Sequence, residues 1–221
     1  MNYFIYNNRD SRDYNIVVNK LPPISSAPKR YEEVVVTGKD GATFNEEGYS
    51  TYEKQLTITI MDKTKIDEIL EWLQGNGKIT FSNEPDKYYN VHILNSVEIN
   101  REKTQSTLNM IAQPYKYSTN EKIINTFIVV NEGNTTSNPW MKITGSGTVI
   151  LIINNVNVCT LDLSVINNIE LDSDLQDAFS NGQLANRKMN GEFPHFKPGI
   201  NTIAYTGNVT KVDTIVRSRW L

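Results

Sequence analysis

Cysteine and histidine are nearly absent from this sequence of 221 residues. The one cysteine, Cys159, has no partner for an intrachain disulfide, which excludes a small secreted domain stapled by disulfides. The two histidines, His92 and His195, have no histidine, cysteine or carboxylate at metal-ligand spacing, so we interpret each as a surface or packed side chain. The sequence therefore predicts no metal site and no Cys–His catalytic pair.

Excess charge and long apolar runs are also missing. The formal net charge is −3 and the pI is about 5.5, so no basic surface recruits nucleic acid and we expect no nucleic-acid sequence recognition. The longest apolar run, Val149 to Ile153, is far shorter than the about 20 residues of a membrane span. Charged residues in the first fifteen positions argue against a signal peptide. We expect no membrane insertion and a soluble protein made in the cytoplasm.

Leucine and alanine are scarce, and β-branched residues take their place. Leu and Ala total 19, against 39 Ile and Val and 20 Thr. β-Branched side chains lose rotamer freedom in helices and pack well on sheets, so the composition predicts a mainly β protein. The 27 asparagines favour many tight turns.

Charge density divides the chain. Residues 1–125 contain 15 Lys and Arg and 17 Asp and Glu, whereas residues 126–221 contain only 7 and 8. The polar, proline-containing segment Gln113 to Lys122 is typical of a linker. We therefore predict two domains, residues 1–125 and residues 126–221.

The first domain is predicted to be β with one packed helix. Glu33 to Thr37 is a strand entering Gly38-Lys39-Asp40-Gly41, where Asp-Gly favours a type I′ hairpin turn, and Ala42 to Tyr52 is expected to be a polar loop. Lys54 to Met61 alternates as a strand does. A helix over about residues 62–74 is predicted from the cap at Asp62, the terminal Gly75 and the apolar spacing of Ile66, Ile69, Leu70 and Leu73. Strands are expected at Lys78 to Ser82, Tyr88 to Asn100 and Gln105 to Gln113.

The second domain is predicted to be a β-sandwich. Seven or eight short apolar segments, from Thr126 to Trp220, are separated by turn signals every 8–12 residues. Gly145-Ser146-Gly147 is expected to be a turn that joins two of these strands.

Motifs for chemistry are incomplete. Gly75-Asn76-Gly77-Lys78 lacks the spacing and the Ser or Thr of a phosphate-binding loop, and Asp172-Ser173-Asp174 lacks the later glycine and glutamate of a calcium loop. We assign no catalytic residue, cofactor or metal, so an enzyme, including a hydrolase, is disfavoured. A carbohydrate-binding module stays open as the alternative, with Trp140 and Trp220 as the candidate sugar-stacking residues.

Ordered motifs run through nearly the whole chain and resemble the siphovirus distal tail protein family. In the first half these are Val36 to Gly41, Leu56 to Ile60, Lys65 to Leu73, Gly77-Lys78-Ile79 and the strand at Tyr88. In the second half they are Gly133, Asn138-Pro139, Lys142 to Gly147, Glu170 to Ser173, Met189 to Pro194 and Pro198 to Ile203.

The resemblance implies a structural hub of a phage tail. It implies a β-sandwich belt domain that forms a homo-oligomeric, hexameric ring, with a galectin-like β-sandwich outside the ring. Such a ring joins the tail tube protein to the tail tip or baseplate, which carries the receptor-binding protein, in the virion tail. The family has no active site, and this chain lacks the strand motif of sugar-binding galectins.

A ring also needs surfaces that pair between copies. The hairpin around Asp40-Gly41 is long and polar, so we expect it to be an inter-subunit arm. Its candidate contact residues are Lys39, Asp40, Gly41, Phe44 and Tyr49.

Overall fold

The computed structural model describes residues 1–94 and 104–221. Its contacts divide the chain into two compact units, Met1–Thr119 with Leu221 and Asn120–Trp220. None of the helices within the described residues is long and apolar enough to cross a membrane. Both units consist mainly of strands around a core of their own, which confirms the predicted mainly β class.

Unit 1 contains nine strands in the described residues and one short helix, α1 (Ile66–Trp72). The strands are β1 (Phe4–Tyr6), β2 (Arg9–Asp10), β3 (Ile16–Lys20), β4 (Lys29–Val34), β5 (Thr43–Tyr49), β6 (Tyr52–Ile60), β7 (Gly75–Phe81), β8 (Lys87–Ile93) and β9 (Gln105–Ser118).

The main sheet of unit 1 is strongly curled. Its antiparallel order is β2-β1-β7-β8-β9-β6-β3, so β2 and β3 are the two ends of the order. Lying flat, these strands would place β2 about 29 Å from β3. Residues 11–15, which join β2 to β3, span at most about 18 Å. The sheet must therefore bend until its ends approach each other, and the bend encloses the core.

The core of unit 1 follows the sequence pattern. Leu56, Ile58 and Ile60 alternate along β6 and are fully buried. On α1, Ile69 is buried, and Trp72 stacks on the Phe4 ring at a centroid distance of 5.6 Å. The helix is shorter than predicted, because Asp62 caps a preceding 3₁₀ turn over Lys63–Lys65 and α1 proper begins at Ile66.

The hairpin at Asp40-Gly41 exists, but its turn and second strand differ from the prediction. The amide of Lys39 donates to the carbonyl of Val36, so Thr37 and Gly38 are the central turn residues. Gly38 has a φ of 86°, which suits the third position of a type II turn. The expected loop from Ala42 to Tyr52 is wrong, because β5 fills most of it and pairs with β4. The segment is polar because both faces of this strand are exposed to solvent, and for that reason the sequence pattern indicated a loop.

Unit 2 contains the remaining nine strands. They are β10 (Ile128–Asn131), β11 (Trp140–Ile153), β12 (Val156–Leu163), β13 (Asn168–Asp172), β14 (Asp177–Ser180), β15 (Gln183–Leu184), β16 (Met189–Gly191), β17 (Gly199–Ile215) and β18 (Arg219–Trp220).

Two long strands, β11 and β17, pass through both layers of the unit 2 sandwich. The first half of β11 lies between β13 and the end of β17, and its second half lies between β12 and the start of β17. The pairing slips between Ser146 and Ile150, where three residues of β11 face Gly207 alone. This bulge bends both strands, as sandwich corners require. The expected turn at Gly145-Ser146-Gly147 is therefore wrong.

Asparagine shapes the tight turns. Asn7-Asn8, Asn154-Asn155 and Asn181-Gly182 each join consecutive antiparallel strands, and all six residues have positive φ. Two positive φ values define a type I′ hairpin turn, which asparagine and glycine tolerate best. Five of the 27 asparagines thus lie in hairpin turns.

The predicted linker is only partly a connection. β9 continues to Ser118 through Pro114, where three residues of β9 face Asn90 alone. A proline is tolerated at such a bulge. The predicted strand from Tyr88 is observed as β8 up to Ile93, and its expected continuation to Asn100 lies outside the described residues.

Candidate assembly surface

The hairpin β4–β5 forms a two-stranded sheet separate from the main sheet of unit 1. Nearly all of its residues are exposed, and only Val34 and Tyr49 are half-buried. An isolated two-stranded hairpin is marginally stable in water. This hairpin therefore depends on contacts at its base or on another chain.

One face of the hairpin is aromatic. Tyr31 faces Glu46 and Glu33 faces Phe44, so these four side chains share a face. The Tyr31 and Phe44 rings meet edge to face, with centroids 6.4 Å apart, although the two residues are 52% and 61% exposed. Exposed contiguous apolar surface marks an interaction site in a folded protein.

The tip extends the apolar surface. Val35 and Val36 follow β4 and are exposed, next to the turn that contains Lys39. Gly38 and Gly41, with φ of 86° and 80°, let the chain turn here, and a Cβ on either would meet no atom within 4 Å. The tip is therefore held by backbone geometry and not by packing.

The base of the hairpin is anchored to unit 1. The amide of Ser50 donates to the carbonyl of Pro28 at 2.8 Å, and the Tyr49 ring meets Tyr115 of β9 edge to face at 6.1 Å. Lys29 Nζ pairs with Glu46 at 2.9 Å, and this hydrogen bond raises the pKa of Lys29. The arm is thus fixed at its base and exposed along its length.

The structure divides the predicted arm residues into two groups. Lys39, Asp40 and Gly41 lie at the exposed tip, and Phe44 lies on the aromatic face. Tyr49 instead packs at the base. The predicted strand began at Glu33, so Tyr31 was missed, and the candidate contact residues did not include Val35 and Val36. No apolar alternation marks this segment; beginning the strand two residues earlier would have placed Tyr31 and Glu33 on one face.

A buried charged cluster lies beside the connection that leads into the arm. Lys116 Nζ pairs with Glu84 Oε1 at 2.9 Å, and the Tyr89 hydroxyl donates to the other Glu84 oxygen. Lys54, only 3% exposed, donates from Nζ to the Pro23 carbonyl at 3.0 Å and faces the Tyr89 ring at 4.5 Å. Burial lowers the pKa of Lys54 to about 8. The cluster ties the proline segment before β4 to the sheet.

The other reactive groups are dispersed. Cys159 is buried, which raises its pKa to about 12. The Nδ1 atoms of His92 and His195 each lie within hydrogen-bond distance of an asparagine side chain. In residues 1–94 and 104–221 no three His, Cys, Asp or Glu residues are grouped as metal ligands would be.

The two candidate sugar-stacking residues are half-buried. Trp140 begins β11, opposite Asp172 of β13 and Ile215 of β17, and Trp220 ends β18. Neither lines the groove at β7 and β8 or the groove at β14 and β15.

Comparison with known proteins finds a sequence likeness in the first unit. Residues 11–112 match the family described as phage tail protein RIFT-related domain. Unit 1 is therefore similar to a phage tail domain over these residues. The match spans most of the curled sheet and the whole of the β4–β5 hairpin. No curated protein matches the chain.

Solved structures extend the likeness to the whole chain. The crystal structure of Dit (gp 19.1) of phage SPP1, described as a paradigm of the hub adsorption apparatus in phages that infect Gram-positive bacteria, has a TM-score of 0.76 at 19% identity, with 100% of both chains covered. A chain of the activated phage P2 baseplate with Ca has a TM-score of 0.56 at 8% identity, covering 100% of this chain and 98% of that one. The Sr form gives 0.54 at 7% identity and 97% of both chains. The predicted resemblance to siphovirus distal tail proteins is thus confirmed, in sequence over the phage tail domain and in fold over the whole chain.

Proposed function

We propose that this chain is the structural hub of a long-tailed phage or prophage tail. In this role it forms a homo-oligomeric ring, with six copies as the expected number, between the tail tube protein and the tail tip or baseplate that carries the host-adsorption apparatus. Its place is the tail of the virion, and its synthesis takes place in the host cytoplasm. The role is mechanical and requires no catalytic residue.

The observation that carries the proposal is the full-length likeness in fold to the SPP1 hub protein, together with the phage tail domain over residues 11–112. The likeness covers both units, so it concerns the combination of a curled-sheet unit and a sandwich unit and not one common β fold. The exposed arm adds a physical reason for assembly. The aromatic face of the hairpin is exposed in the single chain. The hairpin would gain stability if a second copy covered that face.

The arm is proposed to be the inter-subunit contact. Its tip residues Lys39, Asp40 and Gly41 and its aromatic Phe44 reach the neighbouring copy, while Tyr49 holds the base. Between Lys29 and Tyr49 the arm carries three basic and five acidic residues. A neighbouring surface with basic groups around an apolar groove fits this composition.

Native mass spectrometry of the purified full-length chain tests the proposal. We expect a species of six times the 25.2 kDa chain mass, alone or after addition of tail tube or tip protein. Negative-stain images of the same sample should show closed rings. A chain that stays monomeric with both partner proteins present would contradict the hub role. A monomer that binds glycans through Trp140 or Trp220 would favour the carbohydrate-binding alternative instead.

A further inference from the structure

Unit 2 contains a groove that no residue of the arm lines. It has a volume of about 600 Å³ and lies among the β14–β15 hairpin, the 3₁₀ turn over Asn186–Lys188 and Ile166. This volume is within the usual range for small-molecule sites. Its rim and walls include Ser180, Asn181, Gln183 and Arg187.

The frame of the groove is fixed by hydrogen bonds. Asn186 accepts from the amide of Ala178 at 2.6 Å and donates to Asp177 at 2.8 Å. Lys188 Nζ pairs with Asp162 at 2.8 Å, and this hydrogen bond lowers the pKa of Asp162. Because the side chains at both ends of the turn are engaged, the shape of the groove is set before any ligand arrives.

The remaining polar groups are donors without partners. Asn181 accepts from Asn168 through Oδ1, which leaves its side-chain NH₂ group to donate. Within the described residues, the side chains of Gln183 and Arg187 have no recorded hydrogen bond or ion pair. Ser180 lines the groove, is only 8% exposed, and its hydroxyl has no partner. A buried hydroxyl without a partner is destabilising, and a bound oxygen atom would relieve that cost.

The charged side chains at the groove are also unequally paired. Lys188 is paired with Asp162, and Asp177 does not line the groove, so Arg187 contributes the unpaired charge among the residues that line it. A guanidinium presents a planar fork that matches a carboxylate. The groove is therefore rich in donors and positive, with apolar surface from Ile166 and Leu184.

We propose that this groove binds an acidic saccharide, with Arg187 on the acid group and the amides of Asn181 and Gln183 on hydroxyl or ring oxygens. The proposal is independent of the tryptophans, which lie outside the groove, and of ring formation. It gives unit 2 a ligand-binding role in addition to its place in the hub.

The test compares D-glucuronate with D-glucose, which differ in the acid group alone. Titration of the ¹⁵N-labelled full-length chain should shift amide signals of residues 180–188 with millimolar affinity for glucuronate and more weakly for glucose. Arg187→Gln should weaken glucuronate binding about tenfold, because it removes a charge-assisted hydrogen-bonding pair. The exposed Lys197, outside the groove, supplies the matched control Lys197→Gln, which should change the affinity less than twofold.

Three results would overturn the proposal. The first is the absence of shifts in residues 180–188 with either sugar. The second is equal affinity for glucuronate and glucose. The third is an equal loss of affinity in Arg187→Gln and Lys197→Gln, which would indicate a diffuse charge effect. Since Arg187 is exposed and unpaired, its variant is expected to fold, and the unchanged part of the spectrum verifies this.

Discussion

Tyr31 and Phe44 contact each other edge to face across the β4–β5 hairpin, while both remain more than half exposed. Each ring thus shields part of the other, but neither is shielded by a core. Aromatic residues with this exposure are enriched at interfaces, where covering them contributes a large share of the binding energy.

The double variant Tyr31→Ser with Phe44→Ser should prevent assembly of the homo-oligomeric ring without unfolding the chain. Removing two aromatic anchors costs at least about 2 kcal/mol per interface, which shifts assembly by well over tenfold. Exposed substitutions usually change the free energy of unfolding by less than about 0.5 kcal/mol. Native mass spectrometry measures the assembly, and thermal unfolding measures the fold.

The matched control for that experiment removes apolar surface elsewhere. Val165 and Leu175 in unit 2 are 83% and 63% exposed. The double variant Val165→Ser with Leu175→Ser should leave the assembly unchanged. If assembly of the homo-oligomeric ring decreases equally in both double variants, the hairpin face is not the inter-subunit contact.

A second prediction concerns the sandwich corner in unit 2. A Cβ on Gly207 would lie 2.3 Å from the Thr148 carbonyl oxygen, and the φ of Gly207 is 94°. Gly207→Ala therefore adds a backbone clash to the cost of positive φ, and we expect it to reduce the free energy of unfolding by about 3 kcal/mol. Chemical denaturation of the full-length chain, followed by tryptophan fluorescence, measures it.

Gly147 supplies the comparison for the corner. It also has positive φ, 72°, but a Cβ there would meet no atom within 4 Å. Gly147→Ala should cost only about 1 kcal/mol, the penalty of positive φ alone. Equal destabilisation by the two variants would show that the close approach of β11 and β17 is not what requires Gly207.

The sequence predicted those elements whose side-chain pattern and fold agree. β6 was found because Leu56, Ile58 and Ile60 face one core, and α1 because Ile69 and Leu73 face the same core. The β14–β15 hairpin was missed although Asn181-Gly182 is a strong type I′ signal, because its strands have only four and two residues.

Bulges account for the other errors. Pro114 and the glycines at 145 and 147 are typical of breaks between elements, yet each lies at a bulge inside a long strand. A local signal cannot distinguish a strand end from a bulge, since both need an unpaired residue. The exposed face of the arm was missed for a related reason: burial patterns identify cores, and this face belongs to neither core of the chain.

A third prediction concerns Trp72, which joins α1 to the sheet. Its Nε1 donates to the Tyr6 carbonyl at 2.9 Å, and its ring stacks on Tyr14 at 4.7 Å. Trp72→Phe keeps an aromatic ring but removes the indole hydrogen bond to the Tyr6 carbonyl, so we expect a loss of about 1 kcal/mol in the free energy of unfolding of unit 1. Trp72→Ala also leaves a cavity and should cost about 3–5 kcal/mol.

Hydrogen exchange of the β1 and β7 amides measures both Trp72 variants, because these strands lie in unit 1 and report its opening. The amides of β11 in unit 2 serve as the internal reference. If the two variants reduce protection equally, packing of the ring is not the larger contribution.

The last prediction uses the buried Lys54. Its pKa in the folded chain, about 8, lies below the ordinary value of 10.5 because burial disfavours the charged form. The unfolded chain therefore binds more protons between these two values, and the free energy of unfolding rises with pH there. From about pH 7 to about pH 9.5 the gain from this group is about 2 kcal/mol. Glu84 and Lys116 face Lys54 in the same cluster, with Tyr52 and Tyr89, whose raised pKa values keep them neutral in this range.

Lys54→Met isolates this contribution, because the variant replaces the amine by an unbranched apolar side chain one atom shorter and keeps the other four groups. The difference in unfolding free energy, native chain minus Lys54→Met, should therefore increase by about 2 kcal/mol over this pH interval. Lys20→Met, at an exposed lysine on β3, should show no such divergence. Parallel curves for the native chain and Lys54→Met would mean that Lys54 titrates near its ordinary pKa, as a lysine in contact with water does.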